Sequence, residues 1–467
     1  MSYENLEPTW RPSLERNDQP LYLTIASAIS TDIERGCLRS GTKLPTQREL
    51  ADELGVALGT VTRAYTEAER RGLIRGEGRR GTFVGRSESS RSILSEMVKR
   101  AAHGIDLSKN HPLYQFDPDL SVALHRIARG KNAQELLQYP PAAGFMRHRE
   151  AGARWLTALG AKSDPESVFV TYGAQHALSL IIAAEARHGD VIAAEKYTYP
   201  GVRAIAEQLG LQVVGIPTDA EGIIPEELDS LCRQKAVRLL YCNPSVQNPT
   251  NAVSSLKRRR DIAAVADEHG FMIIEDEIMR PFLTEHPGFI ADILPEQTFL
   301  TISISKSVAA GLRIGFIRAP MKTHQGLVES LNASCLGTPP LTAEIFTHWL
   351  EDGTLDQTIA RRRQDMAARQ QLAAGLLAGL RFRDHPASYH VWLELPHGWT
   401  GLKLAMDAQL RGVMVTPAEV FAVDPRLSAS AIRLSVSGPP TQDLLASGIQ
   451  TVVSLLRGTA SHNQATV

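Results

Sequence analysis

Cysteine is rare and dispersed. The 467 residues hold four, at positions 37, 232, 242 and 335, with no CxxC pair. That excludes a disulfide framework and a cysteine-based zinc site, and it fits a reducing cytosol. The chain also lacks a charge excess, its formal net charge being −1. Any nucleic-acid surface must therefore be local. No apolar run approaches the ~20 residues of a membrane span, and "ALSLIIAAEA" (177–186) reads as a core helix. The opening "MSYENLEPTWRPSLER" has no apolar core of a signal peptide, so a cytoplasmic location is expected. Internal repeats and low-complexity arrays are missing too.

With 43% apolar and 22% charged residues the composition is that of a globular protein, and the length predicts two or three domains. Residues 17–85 are dense in charge, Lys43, Arg48, Arg63, Arg70, Arg71, Arg75, Arg79 and Arg80 being interleaved with acids. Apolar positions Leu21, Ile25, Ile29 and Ile33 have helical spacing. "LPTQRELADELG" reads as a helix opened by Pro45 and Thr46 and closed by Gly55, and 59–73 as a third helix ending at Gly72. "IRGEGRRGTFV" (74–84) reads as two short strands around a Gly/Arg turn. The order predicts an α+β winged helix-turn-helix.

Residues 86–112 read as a polar, Ser-rich linker with a short amphipathic helix at 93–102. From 113 to 458, β-rich runs alternate with helical ones: "SVFVTYG", 191–199, 211–217, 237–244, 271–277, 298–305 and 314–320. This predicts an α/β domain with a largely parallel sheet. Runs at 389–396 and 431–438 belong to a smaller α+β C-terminal portion.

In a helix-turn-helix, the N-terminal part of the second helix faces the major groove, and Lys, Arg and backbone N–H groups hold phosphates. Thr60, Thr62, Arg63 and Tyr65 are thus expected to face DNA, with Arg48 on the preceding helix and the wing residues Arg79, Arg80 and Gly81 reaching a minor groove or phosphates. "PLYLTIASAISTDIERG", "LPTQRELADELGVALGTVTRAY" and "RGLIRGEGRRGTFV" together resemble the GntR class of bacterial transcription factors. Ala57-Leu58 stands where many members have Ser-Arg. An N-cap candidate and a DNA-contacting arginine are lost there, so an operator sequence does not transfer.

In "TISISKSVAAGLRIGF" (301–316), Lys306 lies between two serines, with Arg313 downstream. A lysine that forms a Schiff base must reach neutrality, which burial and neighbouring cations favour. Hydroxyls, backbone N–H groups and an arginine suit an adjacent phosphate, and Ser303, Ser305 and Arg313 supply them. Gly173-Ala174-Gln175 lies between a strand and a helix, where free N–H groups bind anions. Asp276 ends a strand, Asn248 sits in "NPSVQNPTN", and Tyr199 offers a stacking face.

This ordered set looks like the class I aminotransferase family, pyridoxal 5′-phosphate (PLP) enzymes of fold type I, over residues 113–458. The resemblance implies that Lys306 is the Schiff-base lysine. It pairs Asp276 with the pyridine nitrogen, Asn248 with the ring oxygen and Tyr199 with the ring face. Gly173, Ala174, Gln175, Ser303, Ser305 and Arg313 would form the phosphate cup, and Tyr139 would reach the partner subunit's phosphate. Arg433 would clamp an α-carboxylate. In two places the sequence departs from the pattern. Ile278 and Met279 occupy positions where the family usually has a tyrosine that donates to the ring oxygen, and Asn251 replaces a glycine after "NPT". The first change weakens ring-oxygen stabilisation, while the second is tolerable because Asn enters the left-handed region.

A GntR-type head on an aminotransferase-like body resembles the MocR subfamily. The implied protein is a PLP-dependent transcriptional regulator that binds double-stranded operator DNA, senses a small amino compound or PLP itself, and forms a head-to-tail homodimer. Its transaminase activity would be weak or nil. The alternative is an active aminotransferase with an appended DNA-binding domain.

Overall fold

Thr46 begins the helix-turn-helix by local chemistry alone. Its hydroxyl accepts from the Glu49 N–H while the Glu49 carboxylate accepts from the Thr46 N–H, a reciprocal cap. Gly55 closes the same helix at φ +64, a conformation that costs glycine nothing. The computed structural model describes residues 10–12, 20–34, 37–38, 41–70, 73–76, 81–84, 104–285, 287–424 and 430–463. The chain divides into two compact units, Met1–Ala102 and His103–Val467.

The first unit holds α1 (Leu21–Glu34), α2 (Gln47–Leu54) and α3 (Leu58–Arg70), then β1 (Ile74–Gly76) and β2 (Thr82–Val84). The strands pair antiparallel with Arg75 opposite Phe83. Residues 41–44 add a third rung, Leu44 N–H donating to Thr82 O and Val84 N–H to Thr42 O. The winged helix-turn-helix expected from sequence is present. On α3, Val61, Ala64, Tyr65 and Ala68 recur at helical spacing and are buried against Ile25, Ile29 and Leu50.

That periodicity corrects one expectation. Tyr65 does not face DNA: it is 3% exposed, and its hydroxyl donates to Pro45 O at 2.8 Å. The spacing that carries Thr62 and Arg63 outward carries Tyr65 into the core.

The second unit opens with β3 (Ile105–Asp106). Then come β4 (Val168–Thr171), β5 (Val191–Glu195), β6 (Gln212–Ile216), a hairpin of β7 (Thr218–Asp219) and β8 (Gly222–Ile223), β9 (Val237–Cys242), β10 (Met272–Asp276), β11 (Thr298–Ser303) and β12 (Gly315–Arg318). Seven of these make one sheet in the order β4-β12-β11-β10-β9-β5-β6. Only β12 runs against the rest. Strands β4, β5, β10, β11 and β12 are buried along their whole length, so they read as mostly apolar runs, with charges only at the ends of β5, β10 and β12. Alternate residues feed opposite faces. Phe169, Ile274, Phe299 and Ile317 join one apolar cluster, and Val170, Leu300, Ile302 and Phe316 another.

The C-terminal portion holds β13 (Phe382–Arg383), β14 (His390–Glu394), β15 (Val413–Met414), β16 (Thr416–Pro417) and β17 (Ala431–Ser435). An antiparallel sheet runs β13-β14-β17-β16, as the predicted α+β part requires. Strand β15 pairs instead with β3. The predicted linker therefore ends earlier than residue 112. Ile105 and Leu107 donate to Gly412 O and Met414 O, and Leu107 is fully buried. The stretch is too short and polar to show periodicity, and its pairing partner lies some 300 positions away in the sequence. The predicted helix at 93–102 lies outside the described residues.

Replacing Tyr65 by Phe should cost the first unit about 1 kcal/mol in urea unfolding, because Pro45 O loses its donor. Its DNA affinity should not change. Unchanged stability with weakened DNA binding would put the side chain back on the DNA face.

Candidate functional site

Six strands that run in one direction end at the same edge of the large sheet, where open α/β sheets bind ligands. Beyond β4, Gly173 turns the chain at φ +78 into α4 (Ala174–Glu185), whose first turn has no side-chain cap. Its free N–H groups are an anion site in waiting. A Cβ on Gly173 would lie 3.1 Å from Arg313 Nη2 and 3.4 Å from Ser303 Oγ, so the backbone needs glycine to come this close. Arg313 Nη1 donates to Ser305 Oγ at 3.1 Å, and Ser303 Oγ to Ser305 Oγ at 3.0 Å. Arg313 itself adopts φ +52, a conformation that a non-glycine residue holds only when its surroundings enforce it. Gly173, Ala174, Gln175, Ser303, Ser305 and Arg313 are thus one cluster of donors. Tyr199 joins it, its hydroxyl donating to Gln175 Oε1 at 2.7 Å.

Strand β10 ends in Glu275 and Asp276, Glu277 follows at once, and alternation separates the three acids. Glu275 and Glu277 turn toward the fully buried Arg259, whose Nη1 lies 3.0 and 2.9 Å from their carboxylates. Asp276 turns the other way. Tyr241 on β9 donates to Asp276 Oδ2 at 2.8 Å, and Ile278 N–H to Oδ1 at 3.3 Å. Burial raises the Asp276 carboxyl to about 6 against those two donors.

Lys306 lies in the turn after β11, part-buried, with Nζ donating to Asn110 O at 2.5 Å. Its pKa falls to about 8, through burial first and then the charges of Arg433 and Arg313. Arg433 on β17 is 8% exposed. Its Nη1 donates to Asn248 Oδ1 at 2.9 Å, its Nη2 to Ser108 O at 2.6 Å, and its plane covers the Phe421 ring. Nε is buried without a partner. Asn251 takes φ +60, as its place in the turn demands. Its side chain also bonds His390 O and Ser388 Oγ, contacts that glycine cannot make.

Tyr139 joins none of these hydrogen bonds and is 84% exposed. Tyr241, Ser108, Asn110 and His390, whose Nδ1 meets Asn110 Nδ2 at 2.9 Å, were not anticipated from sequence. Tyr241 carries a signal in retrospect, because a tyrosine inside a buried strand must find a partner for its hydroxyl. The two carbonyls carry none.

In the first unit, Arg48, Thr62 and Arg63 are exposed and Thr60 is half-buried. Thr62 Oγ1 donates to Gln47 Oε1 at 2.8 Å, tying α3 to α2. Gly81 has φ +112, and a Cβ there would meet Lys43 Cε at 2.8 Å. Arg79 and Arg80 lie outside the described residues.

The donor set fits PLP. An uncapped helix start, two serines and an arginine suit a phosphate, and a depressed lysine suits an aldehyde. A buried acid suits a pyridinium, and the orphaned Nε of Arg433 suits a carboxylate. In the cofactor-free protein, Lys306 should titrate near 8 by carbon NMR of methylated lysines. Arg433→Met should raise that value by removing a cation; an ordinary value of about 10.4 would mean the cluster does not assemble. Tyr241→Phe should lift Asp276 above 6, since it removes a donor to the carboxylate. An unmoved carboxyl resonance would deny that bond.

Among known proteins, the family described as aminotransferase class I and II matches residues 102–446, and the bacterial regulatory proteins of the gntR family match 21–84. The uncharacterized HTH-type transcriptional regulator YdeF of Bacillus subtilis is 28% identical over 97% of this chain and 98% of that protein. The HTH-type transcriptional regulator TauR of Rhodobacter capsulatus is 26% identical over 92% and 95%. Among solved structures, the α-aminoadipate aminotransferase LysN of Thermus thermophilus, complexed with N-(5′-phosphopyridoxyl)-L-leucine, superposes with a TM-score of 0.70. It is 24% identical and covers 79% of this chain and 95% of its own. The chain belongs to the class I and II aminotransferases, and it carries a gntR-family DNA-binding domain at its head.

Proposed function

We propose that this protein is a PLP-dependent transcriptional regulator that binds double-stranded DNA through its first unit and senses a small amino compound, or PLP itself, in its second. One observation carries the reading. A helix-turn-helix with Arg48, Thr62 and Arg63 exposed shares a chain with a donor-rich pocket around a depressed lysine. Relatives that span nearly the whole chain and are named as HTH-type regulators support it.

Gly173, Ala174, Gln175, Ser303, Ser305 and Arg313 would hold the phosphate, Tyr199 the ring face, Asn248 the ring oxygen and Asp276 the pyridine nitrogen. When bound, PLP supplies an aldehyde that captures amines reversibly. Lys306 offers the anchoring nitrogen, half of it neutral near pH 8. Asp276, with a pKa of about 6, is ionised at pH 7 and keeps a pyridinium protonated. Arg433 would take a carboxylate, so the effector class is an amino acid or a related amino carboxylate.

The missing tyrosine favours sensing over turnover. Neither the thioether of Met279, buried in the apolar core, nor the alkyl side chain of Ile278 carries a donor for a ring oxygen, and the Ile278 backbone N–H is spent on Asp276. We assign the exposed Tyr139 to the phosphate site of a second copy, in a head-to-tail homodimer. A cytoplasmic location follows from the DNA target; no described helix is long and apolar enough to cross a membrane.

Purified protein with PLP should show a visible absorption band that Lys306→Ala removes. Arg48→Ala with Arg63→Ala should weaken binding to the chain's own upstream DNA at least tenfold and lower the salt slope by about 2. A gel shift indifferent to both arginines defeats the regulator reading. Rapid multiple-turnover transamination of an amino-acid panel would promote the catalytic alternative.

A further inference from the structure

Three consecutive backbone carbonyls, those of Ser108, Lys109 and Asn110, accept from Arg433 Nη2, Ser435 Oγ and Lys306 Nζ at 2.6, 2.7 and 2.5 Å. The outer two donors are the side chains proposed to take an amino compound's carboxylate and the aldehyde carbon of PLP. The segment that supplies them, residues 104–111, is the first described stretch of the second unit after the DNA-binding head.

The segment is held firmly but by few bonds. Ile105 and Leu107 donate to Gly412 O and Met414 O, and Leu107 O accepts from Ser435 N–H. Thr416 Oγ1 adds a second donor to Ser108 O at 2.8 Å. Only Leu107 is fully buried; Ser108, Lys109 and Asn110 are half-exposed. Two polar atoms here are buried without partners, Arg433 Nε and Asn110 Oδ1. An orphaned guanidinium nitrogen beside an occupied one is a clamp already closed on the protein's own backbone.

We infer that residues 104–111 form a strap that occupies donors needed for ligands, and that ligation of Lys306 by the PLP aldehyde, or of Arg433 by a carboxylate, releases it. The inference rests on the cofactor reading above. A charged Lys306 has three N–H donors and gives one to Asn110 O. When Nζ bonds to a carbonyl carbon, the carbonyl oxygen leaves as water with two of its protons. At most one N–H remains, and the ligand competes for it. A carboxylate on Arg433 competes with Ser108 O in the same way. PLP at Lys306 is thus exchanged for the Asn110 contact and a carboxylate at Arg433 for the Ser108 contact, giving each the differential affinity for two states that a switch requires. The strap is continuous in sequence with the head through residues 85–103, which makes DNA affinity the second readout of its release.

Hydrogen-exchange mass spectrometry of the full chain, with and without PLP, tests this. With PLP bound, as judged by the visible band, amides 105–111 should exchange about fivefold faster, the factor expected for one lost hydrogen bond. In Thr416→Val/Ser435→Ala, which removes two donors to the strap but no proposed ligand contact, exchange should already be fast without PLP. DNA affinity in that variant should no longer respond to PLP. Near-ultraviolet circular dichroism checks that the double variant is folded, and Thr416→Val alone should give a smaller effect of the same sign. A visible band with unchanged exchange at 105–111 overturns the strap and leaves the cofactor reading standing. No band at all removes the cofactor reading and the strap with it. A double variant whose DNA affinity follows PLP as the natural protein's does would show that the strap carries no signal.

Discussion

Three consecutive carboxylates end a fully buried strand, and the site depends on how the fold accommodates them. A lone buried carboxylate is costly enough that it protonates or finds partners. Strand alternation sends Glu275 and Glu277 to one side, where the fully buried Arg259 pairs with both, the N–H groups of Ile290 and Ala291 donate to Glu275, and Ser245 Oγ donates to Glu277 Oε1. Asp276 is left alone on the ligand side with Tyr241 and one backbone donor. Buried but only partly satisfied, it stays poised near 6. The Arg259 pairing thus leaves Asp276 with two neutral donors and, among the described residues, no ion pair.

Lys306 and Arg433 present the opposite problem, two cations in one pocket. Burial depresses both, Arg433 to about 10 and Lys306 to about 8, and the charges of Arg433 and Arg313 lower Lys306 further. Here the fold uses neutral acceptors. Carbonyls of residues 108 and 110 and the Asn248 side chain take their protons without cancelling their charge. A pocket that keeps its positive charge still attracts a phosphate and a carboxylate.

Much of this was legible before folding. Thr46, Glu49 and Gly55 mark a helix by local bonds, and the apolar runs of the sheet have the length and composition of buried strands. Lys306, Asp276, Asn248 and the Gly173 turn could be singled out because they bear chemistry and sit at strand ends. The type of Tyr65 does not tell its facing; the buried neighbours Val61, Ala64 and Ala68 decide it. The linker was drawn too long because a two-residue strand leaves no pattern of its own.

Residue order alone sets the two-part architecture, the reactive lysine candidate and the loss of a donor at Ile278 and Met279. Those follow from side-chain chemistry and spacing, which are properties of the residues themselves. Only the tertiary structure decided which groups meet. Tyr241 reaches Asp276 because β9 lies beside β10 in register. Ser108 and Asn110 reach Arg433 and Lys306 through backbone oxygens that every residue carries alike. A carbonyl has no letter in the code, so its role becomes visible only when the chain has brought it to its donor.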